Sequence, residues 1–252
     1  MKKNKRVAII TGASRGLGAA IAKKLSLQNM SLAIVFKNSK EKAFTIANEC
    51  KQNGAETLTI QADVSIDSEC RKVVEETINK LGEINILINN VGKTKFVDFE
   101  DLEGLSDNDF LDIYKTNVVS AFMMTRAAVP SMKKTANARI INISSIAGVL
   151  GVGSSIAYAA SKGGLNMLSY SLARALAPDI LVNTICPGYI QTSWHGNQHE
   201  VEKKKKKYEE SVPLKKSASP EDIAETVLWF VNSPNLITGE TLMVDGGLHL
   251  NQ

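Results

Sequence analysis

The sequence predicts an α/β fold: a single domain built on a doubly wound parallel sheet of about seven strands with helices on both faces. Short apolar runs bounded by glycine or polar residues alternate with segments whose apolar residues recur at helical spacing. With 252 residues and 44% hydrophobic content, the chain can bury one large core, and no repeat or proline-rich linker divides it. We therefore expect one domain over residues 1–252. The predicted strands are Val7 to Thr11, Leu32 to Phe36, Leu58 to Ala62, Ile84 to Asn89, Ile140 to Ser144, Ile180 to Ile185 and Thr241 to Val244.

A glycine-rich segment, T-G-A-S-R-G-L-G, follows the first predicted strand and opens the first predicted helix. Gly12, Gly16 and Gly18 permit a tight turn and let backbone N–H groups approach a phosphate, whose charge the helix N-terminus favours. The spacing G-x-x-x-G-x-G differs from the dinucleotide pattern G-x-G-x-x-G. For this segment taken alone, a purely structural turn is the alternative.

The segment Y-A-A-S-K places Tyr158 and Lys162 one helical turn apart, on the same face of a predicted helix. A free tyrosine titrates near ~10, so acid–base work near neutral pH requires its phenolate to be favoured by roughly 3 to 4 kcal/mol. A nearby cation is the obvious source, and we expect Lys162 to lower the pKa of Tyr158. The alternative is a surface pair on an amphipathic helix.

Together with the glycine segment, several motifs in order carry a resemblance to a known family. They are Asn89-Asn90-Val91-Gly92, Asn117, Ser145, Tyr158-x-x-x-Lys162 and Pro187-Gly188. From about Lys5 to Gly247 the chain resembles the short-chain dehydrogenase/reductase family, nearest to the bacterial 3-oxoacyl-[acyl-carrier-protein] reductases. The resemblance implies a Rossmann fold. One departure is Val91, where the family most often has alanine, which could narrow the nicotinamide side of the cleft.

The resemblance implies a catalytic role for each of four residues. Ser145 would donate to the substrate carbonyl oxygen, and Tyr158 would give that oxygen its proton as hydride arrives from the reduced nicotinamide. Lys162 would stabilise the phenolate and bind the nicotinamide ribose. Asn117 would perturb its helix and support a water linking Lys162 to solvent, although a surface amide is the alternative. Ser144 is a rival for the serine role, but the spacing to Tyr158 and strand alternation favour Ser145.

The resemblance also implies which residues bind the cofactor. Asp63 and Val64 would contact the adenine, and Asn90 would contact the adenine ribose. Asn89 and Asn90 are adjacent amides at the end of a predicted strand, and the ribose would give one of them a hydrogen-bond partner. The remaining predicted contacts are Gly12, Ser14, Arg15, Gly16, Leu17, Gly18, Lys37, Gly92, Tyr158, Lys162, Pro187, Gly188, Ile190 and Thr192.

Charge at the end of the second predicted strand bears on which nicotinamide cofactor binds. NAD commonly relies on a carboxylate there, whereas this chain has Phe36-Lys37-Asn38. Lys37 and Arg15 could pair with a 2′-phosphate, so we expect NADP(H) over NAD(H). The alternative is an ordinary strand-end lysine.

The expected function is an NADPH-dependent alcohol oxidoreductase that reduces a carbonyl to a secondary alcohol, with a 3-oxoacyl thioester as the favoured substrate. Two alternatives remain: a reductase of a sugar, steroid or small ketone, and a non-catalytic NADP(H)-binding regulator. Intact catalytic positions disfavour the regulator.

Charged segments bear on possible partners. Residues 189–216 would form a flexible substrate flap. This flap contains a run of five lysines, Lys203 to Lys207, for which we weigh two interpretations: a solvated helix, or a contact for an anionic carrier or coenzyme A. In the carrier-protein reductases, basic residues on two interface helices meet the carrier. Lys133 and Lys134 suit this role, but Pro178-Asp179 and the acidic segment Phe99 to Asp107 do not.

We expect a cytoplasmic homotetramer with no metal, nucleic-acid or membrane partner. The three cysteines of the chain are widely separated, which is typical of reduced thiols in a cytosolic protein. The apolar run after the basic N-terminus is too short for an export signal. His195 and His199 have helical metal-ligand spacing but no third ligand. In the family, the helix after Tyr158 pairs across a two-fold axis.

Overall fold

The structure is a computed structural model that describes residues 5–251. Residues 1–4 and 252 of the expected domain, and the side chain of His195, lie outside this description. The strands are β1 (Val7–Ile10), β2 (Ser31–Phe36), β3 (Glu56–Gln61), β4 (Ile84–Asn89), β5 (Ala138–Ile143), β6 (Ile180–Pro187) and β7 (Thr241–Val244). The α-helices are α1 (Gly16–Ser26), α2 (Lys40–Gln52), α3 (Asp67–Leu81), α4 (Asp107–Tyr114), α5 (Ser120–Met132), α6 (Ala147–Leu150), α7 (Ile156–Leu176), α8 (Gln198–Ser211) and α9 (Pro220–Asn232).

The seven strands form one parallel sheet in the order β3-β2-β1-β4-β5-β6-β7. This confirms the predicted fold class. Two strands extend beyond their apolar runs because neighbours pair with the extra residues. Glu56 of β3 lies beside Ser31, and Pro187 of β6 lies beside Val244. Among the described residues, no helix combines the length and apolar character needed to cross a bilayer.

Each face of the sheet buries its own apolar cluster. On one face, α1 and α9 pack against strand residues such as Ile10 and Ile34. On the other face, α3 and α5 cover Ile9 and Leu87. Because successive side chains of a strand point to opposite faces, strands buried on both sides read as continuous apolar runs.

All strands run in the same direction, but the order in which they are added reverses between β1 and β4. From β1 the chain builds outward to β2 and β3, and the later strands build the other half of the sheet. In parallel sheets, a crevice opens at the carboxyl ends of the strands on either side of such a switch point. The glycine segment after β1 and the Asn90 segment after β4 both lie there. The candidate site is therefore located by topology.

Below this crevice, a buried amide network joins two strands to two helices. The Asn89 side chain at the end of β4 donates to the Asn142 oxygen of β5 at 2.8 Å. Asn142 in turn donates to the hydroxyl of Ser169 on α7 at 2.8 Å, and Ser169 donates to the Leu165 carbonyl. Asn89 therefore has the partner that its burial requires.

Replacing Asn142 by alanine is expected to destabilise the protein by roughly 2 to 4 kcal/mol, because the buried amide of Asn89 keeps only contacts of 3.4 Å or longer. Chemical denaturation followed by circular dichroism measures the change. Asn79→Ala, the same substitution at an exposed position of α3, is the control and should stay within about 0.5 kcal/mol of wild type. Equal effects would mean that the network adds no stability.

Candidate active site

The glycine turn brings the backbone of β1 and α1 into direct contact with β4. Gly12 and Gly16 have positive φ angles of 67° and 53°. A Cβ atom on Gly18 would lie 2.4 Å from the Gly12 carbonyl oxygen and 2.7 Å from the Asn90 amide nitrogen. No larger side chain fits at that contact, so the turn requires glycine at position 18.

Asn90 holds the turn from the other side. Its side-chain amide donates to the Thr11 carbonyl at 2.9 Å, and its backbone N–H donates to the Thr11 hydroxyl at 2.9 Å. The structure therefore gives Asn90 a role in shaping the turn that the sequence did not indicate. Val91, beside it, packs with the apolar cluster that includes Ile9.

The N-terminus of α1 faces the crevice, and backbone N–H groups of its first turn are available to donate hydrogen bonds. Arg15 at the N-cap makes no side-chain capping bond, and the first turn, which holds Leu17, carries no acidic residue. The first N–H groups of a helix have no partner within it, and its dipole favours an anion. Ser14 and Arg15 lie at this end, with Arg15 exposed. Together with the glycine turn, this geometry fits a pyrophosphate.

At the end of β2, Lys37 and Asp63 form an ion pair at 2.6 Å. Asp63 also accepts hydrogen bonds from the backbone and hydroxyl of Ser65. Partial burial opposes the shift, but the bonds from Lys37 and Ser65 lower the pKa of Asp63 to about 2. The next residue, Val64, is buried. The structure thus places side by side two residues that the sequence assigned to different parts of the cofactor.

Asn117 lies in a π-helical turn, Lys115–Val119, between α4 and α5. Its side chain is buried and bridges the loop after Gly92 to α7. The side-chain oxygen accepts from the Lys93 N–H at 2.7 Å, while the amide donates to the Lys93 carbonyl and the Ser161 hydroxyl. The expected helix irregularity is present, and the alternative of a surface amide is wrong.

Two serines follow β5 directly, and the structure separates their environments. Ser144 is buried and donates to the Lys162 carbonyl at 3.1 Å. Ser145 is partly exposed, accepts from the Ala147 N–H at 3.1 Å, and lies close enough to the Tyr158 hydroxyl to influence its pKa. Only Ser145 therefore reaches the phenol, which agrees with the sequence-based choice between them.

Lys162 is almost fully buried, at 3% exposure. Its Nζ atom donates to the Ile143 carbonyl at 2.9 Å and lies 5.7 Å from the centre of the Tyr158 ring. Burial lowers the pKa of Lys162 to about 8, although the neighbouring Cys186 opposes the shift. A buried amine titrating this close to neutrality is a candidate for proton transfer.

The expected lowering of the Tyr158 pKa is not what the structure gives. Burial raises the pKa of Tyr158 to about 12, against the opposing hydrogen bond from Ser145. The Lys162 ammonium contacts the face of the ring, and its hydrogen bond goes to Ile143. Desolvation of the phenol therefore outweighs the hydrogen bond with Ser145, and the neighbouring Cys186 adds to the rise.

A segment after β6 covers these residues. Trp194, in the short helix Ser193–His195, lies 6.4 Å from the Tyr158 ring, and its indole edge would be 3.7 Å from a Cβ atom on Gly92. Thr192 accepts from the Trp194 N–H and lies next to Gly16. Ile190 bridges to Ala218.

The long helix of this segment, α8, is held by Tyr208. Its hydroxyl donates to the Asp245 carbonyl at 2.6 Å, in a notch where a Cβ atom on Gly188 would lie 2.0 Å from the hydroxyl oxygen. Pro187 and Gly188, at the end of β6, therefore bring α8 against the sheet. The predicted nicotinamide turn therefore lies against Tyr208, the residue that anchors this segment.

Three contributors to the site were not identified from the sequence. Trp194 covers Tyr158, Lys93 receives both ends of the Asn117 amide, and Cys186 lies buried beside Lys162. The position of Cys186 directly before Pro187 places it at a strand end, which was the only signal for it. Contacts of the other two depend on loop conformation, which local sequence does not encode.

Comparison with known proteins shows to which family the chain belongs. A family model described as short chain dehydrogenase matches residues 6–203. The chain belongs to the short-chain dehydrogenase family. This family consists of oxidoreductases that use a nicotinamide cofactor.

Individual relatives match this short-chain dehydrogenase along its length. A 3-oxoacyl-[acyl-carrier-protein] reductase of Aquifex aeolicus is 34% identical over 251 residues, covering 98% of this chain and 99% of the relative. The reductase of the same description from Staphylococcus epidermidis is 32% identical over 245 residues, covering 96% and 98%. A crystal structure of a short-chain dehydrogenase/reductase from Burkholderia xenovorans matches with a TM-score of 0.93 and 35% identity, covering 99% and 100%.

The burial of Lys162 makes the stability of the dehydrogenase depend on pH. The unfolded chain keeps the lysine proton up to its ordinary pKa of 10.5, whereas the folded protein releases it near 8. Between these values the unfolded state binds more protons, so this residue's cost to folding falls as the pH rises. Below pH 8 the cost is complete, at about 3 kcal/mol.

Lys162→Met, which removes the charge but keeps the chain length, is therefore expected to stabilise the protein by up to about 3 kcal/mol at pH 7. The gain should shrink at pH 9.5. Urea denaturation at both pH values measures it, with Lys80→Met at an exposed position of α3 as the control. A gain independent of pH would contradict the assigned cause.

Proposed function

We propose that this short-chain dehydrogenase reduces a carbonyl group to a secondary alcohol with NADPH, with Tyr158 as the general acid. The observation that carries the proposal is the contact of Tyr158 with both Ser145 and Lys162 at the carboxyl edge of the sheet. A hydroxyl, a phenol and a buried amine in contact are suited to polarising and protonating a carbonyl oxygen. The uncapped helix and glycine turn beside them support a dinucleotide cofactor.

The bound nicotinamide would supply a hydride to the carbonyl carbon. Ser145 donates a hydrogen bond to the carbonyl oxygen and orients it. Tyr158 transfers its hydroxyl proton to that oxygen, which leaves a phenolate. Lys162, whose pKa lies near 8, stabilises the phenolate and can return a proton to it.

Asn117 supports this chemistry through position. Its amide links the Lys93 backbone to Ser161, which lies next to Lys162 in α7. The π-turn widens the helix at this point and turns the Asn117 side chain inward. We infer that Asn117 holds the route by which solvent protons reach Lys162.

Charge supports NADP(H) over NAD(H). Lys37 and Arg15 are exposed at the end of β2 and at the start of α1. The ion pair with Asp63 is at the surface, so its exchange for a 2′-phosphate costs little. A phosphate would gain charge-assisted hydrogen bonds from both cations. An NAD-type carboxylate is absent from the end of β2 itself.

We propose a 3-oxoacyl thioester as the substrate, because the relatives from Aquifex aeolicus and Staphylococcus epidermidis are named as 3-oxoacyl-[acyl-carrier-protein] reductases. We further propose that the chain is one cytoplasmic domain that assembles as a homotetramer, with residues 189–216 as a substrate flap. The exposed apolar side chains Tyr114, Phe122, Met167 and Tyr170 on neighbouring helices support assembly.

Oxidation of NADPH, with NADH in parallel, should be measured against acetoacetyl-coenzyme A, small ketones, a sugar ketone and a steroid. We expect turnover of the thioester with NADPH. Tyr158→Phe should lower kcat by at least about 1,000-fold and leave cofactor affinity nearly unchanged, since only the proton donor is lost. A large loss of cofactor affinity would contradict the assigned role, and binding without turnover by the wild type would favour a regulator.

Lys37→Glu should lower kcat/KM for NADPH by roughly 10- to 100-fold and raise the relative use of NADH, because a carboxylate repels the 2′-phosphate. Steady-state kinetics with both cofactors measures the ratio. Lys51→Glu, at the far end of α2, changes the net charge equally and is the matched control. A variant with unchanged cofactor preference would remove Lys37 from the phosphate site.

A further inference from the structure

The outer face of α8 carries unpaired positive charge. Lys203, Lys206 and Lys207, here called the lysine face, are exposed and lie on adjacent turns of the helix. No described carboxylate lies within 4 Å of their ammonium groups, whereas Lys205, on a more buried side, pairs with Glu202 at 3.6 Å. Three cations this close repel one another, which favours an anionic partner.

The lysine face is held at the mouth of the active site. Tyr208 anchors α8 to the Asp245 carbonyl, and Tyr189 donates to the Val201 carbonyl at 2.7 Å. On the cleft side, the Lys204 ammonium lies 4.7 Å from the centre of the Phe96 ring. Phe96 follows Gly92 by four residues in the loop that passes the catalytic residues. α8 therefore packs beside the loop that passes the catalytic residues.

The lysines expected to receive a carrier protein are neutralised. Lys133 lies 3.5 Å from Asp179, and Lys134 lies 3.0 Å from Glu83. Both are at the end of α5, away from the lysine face. The flap helix, by contrast, offers lysines with no described carboxylate within 4 Å to an anionic substrate.

The rim next to Phe96 is acidic. The segment after Phe96 carries a series of exposed carboxylates, Asp98, Glu100, Asp101, Glu103 and Asp107. A large acidic protein surface resting on α8 would also meet this rim and be repelled. A small polyanion can contact the lysine face alone.

We propose that the lysine face of α8 binds the phosphate groups of coenzyme A, so that the enzyme reduces 3-oxoacyl groups while they are carried by coenzyme A and not by an acidic carrier protein. The proposal rests on the proposed thioester reduction. Coenzyme A carries a diphosphate and a ribose phosphate at the end of the pantetheine arm remote from the thioester. This arrangement leaves the phosphates at the mouth while the reacting carbonyl reaches Ser145 and Tyr158.

The kinetic test compares acetoacetyl-coenzyme A with acetoacetyl-N-acetylcysteamine, which has the same reacting groups and no phosphate. The lysine-face variant is Lys203→Gln/Lys206→Gln/Lys207→Gln. In this variant the KM for acetoacetyl-coenzyme A, divided by the KM for acetoacetyl-N-acetylcysteamine, should rise by about tenfold. Rising salt should change the wild-type ratio in the same direction. Lys133→Gln/Lys134→Gln is the control and should keep the wild-type ratio. An unchanged ratio in the lysine-face variant overturns the proposal.

A binding measurement separates this proposal from the proposed function. Desulfo-coenzyme A is titrated calorimetrically into the protein with saturating NADP⁺, which blocks the cofactor site. Binding that weakens about tenfold in the lysine-face variant supports the surface whatever the enzyme reduces. If the wild type reduces both thioesters but the variant binds desulfo-coenzyme A equally well, thioester reduction stands and the docking surface is wrong. Preferential turnover of acetoacetyl-carrier protein that depends on Lys133 and Lys134 would also overturn it.

Discussion

A buried amine orders the proposed catalytic centre. The Lys162 ammonium has a single hydrogen-bond acceptor in the described residues, the Ile143 carbonyl at the end of β5. That bond fixes α7 against the carboxyl edge of the sheet and brings the Tyr158 ring within 5.7 Å of the amine. Ser144 adds a second tie by donating to the Lys162 carbonyl. These two hydrogen bonds thus fix the positions of Tyr158 and Ser145 relative to the sheet.

The cost of burying this amine explains why its surroundings are so constrained. A charged lysine loses hydration on burial, and the fold offsets this cost only in part. Cys186 lies close to it, and Asn117 and Ser161 form a polar chain beside it. Catalysis near neutral pH needs a group that gains and loses protons easily. The same burial that destabilises the fold makes Lys162 such a group.

Much of the architecture could be predicted because both faces of the sheet are buried. Continuous apolar runs such as Ile84–Asn89 and Thr241–Val244 have the predicted bounds, and the glycine turn lies where its motif placed it. Where pairing with a neighbouring strand sets the end of a strand, as at Glu56, the local sequence could not predict that end. The order of motifs singled out Ser145, Tyr158 and Lys162, and the structure brings these three residues together. The direction of the Tyr158 pKa shift was missed because it depends on desolvation, a property of the assembled site.

The chain contains two tryptophans, Trp194 and Trp229. Trp194 lies over the active-site phenol, while Trp229 is on the exposed side of α9 and packs edge-on against Phe230. Indole emission depends on the polarity and ring contacts around the indole. With Trp229 replaced by phenylalanine, the protein would carry one tryptophan, at the position where the segment after β6 covers Tyr158. Emission excited selectively in the indole would then report on the contact between this segment and Tyr158, without an attached label.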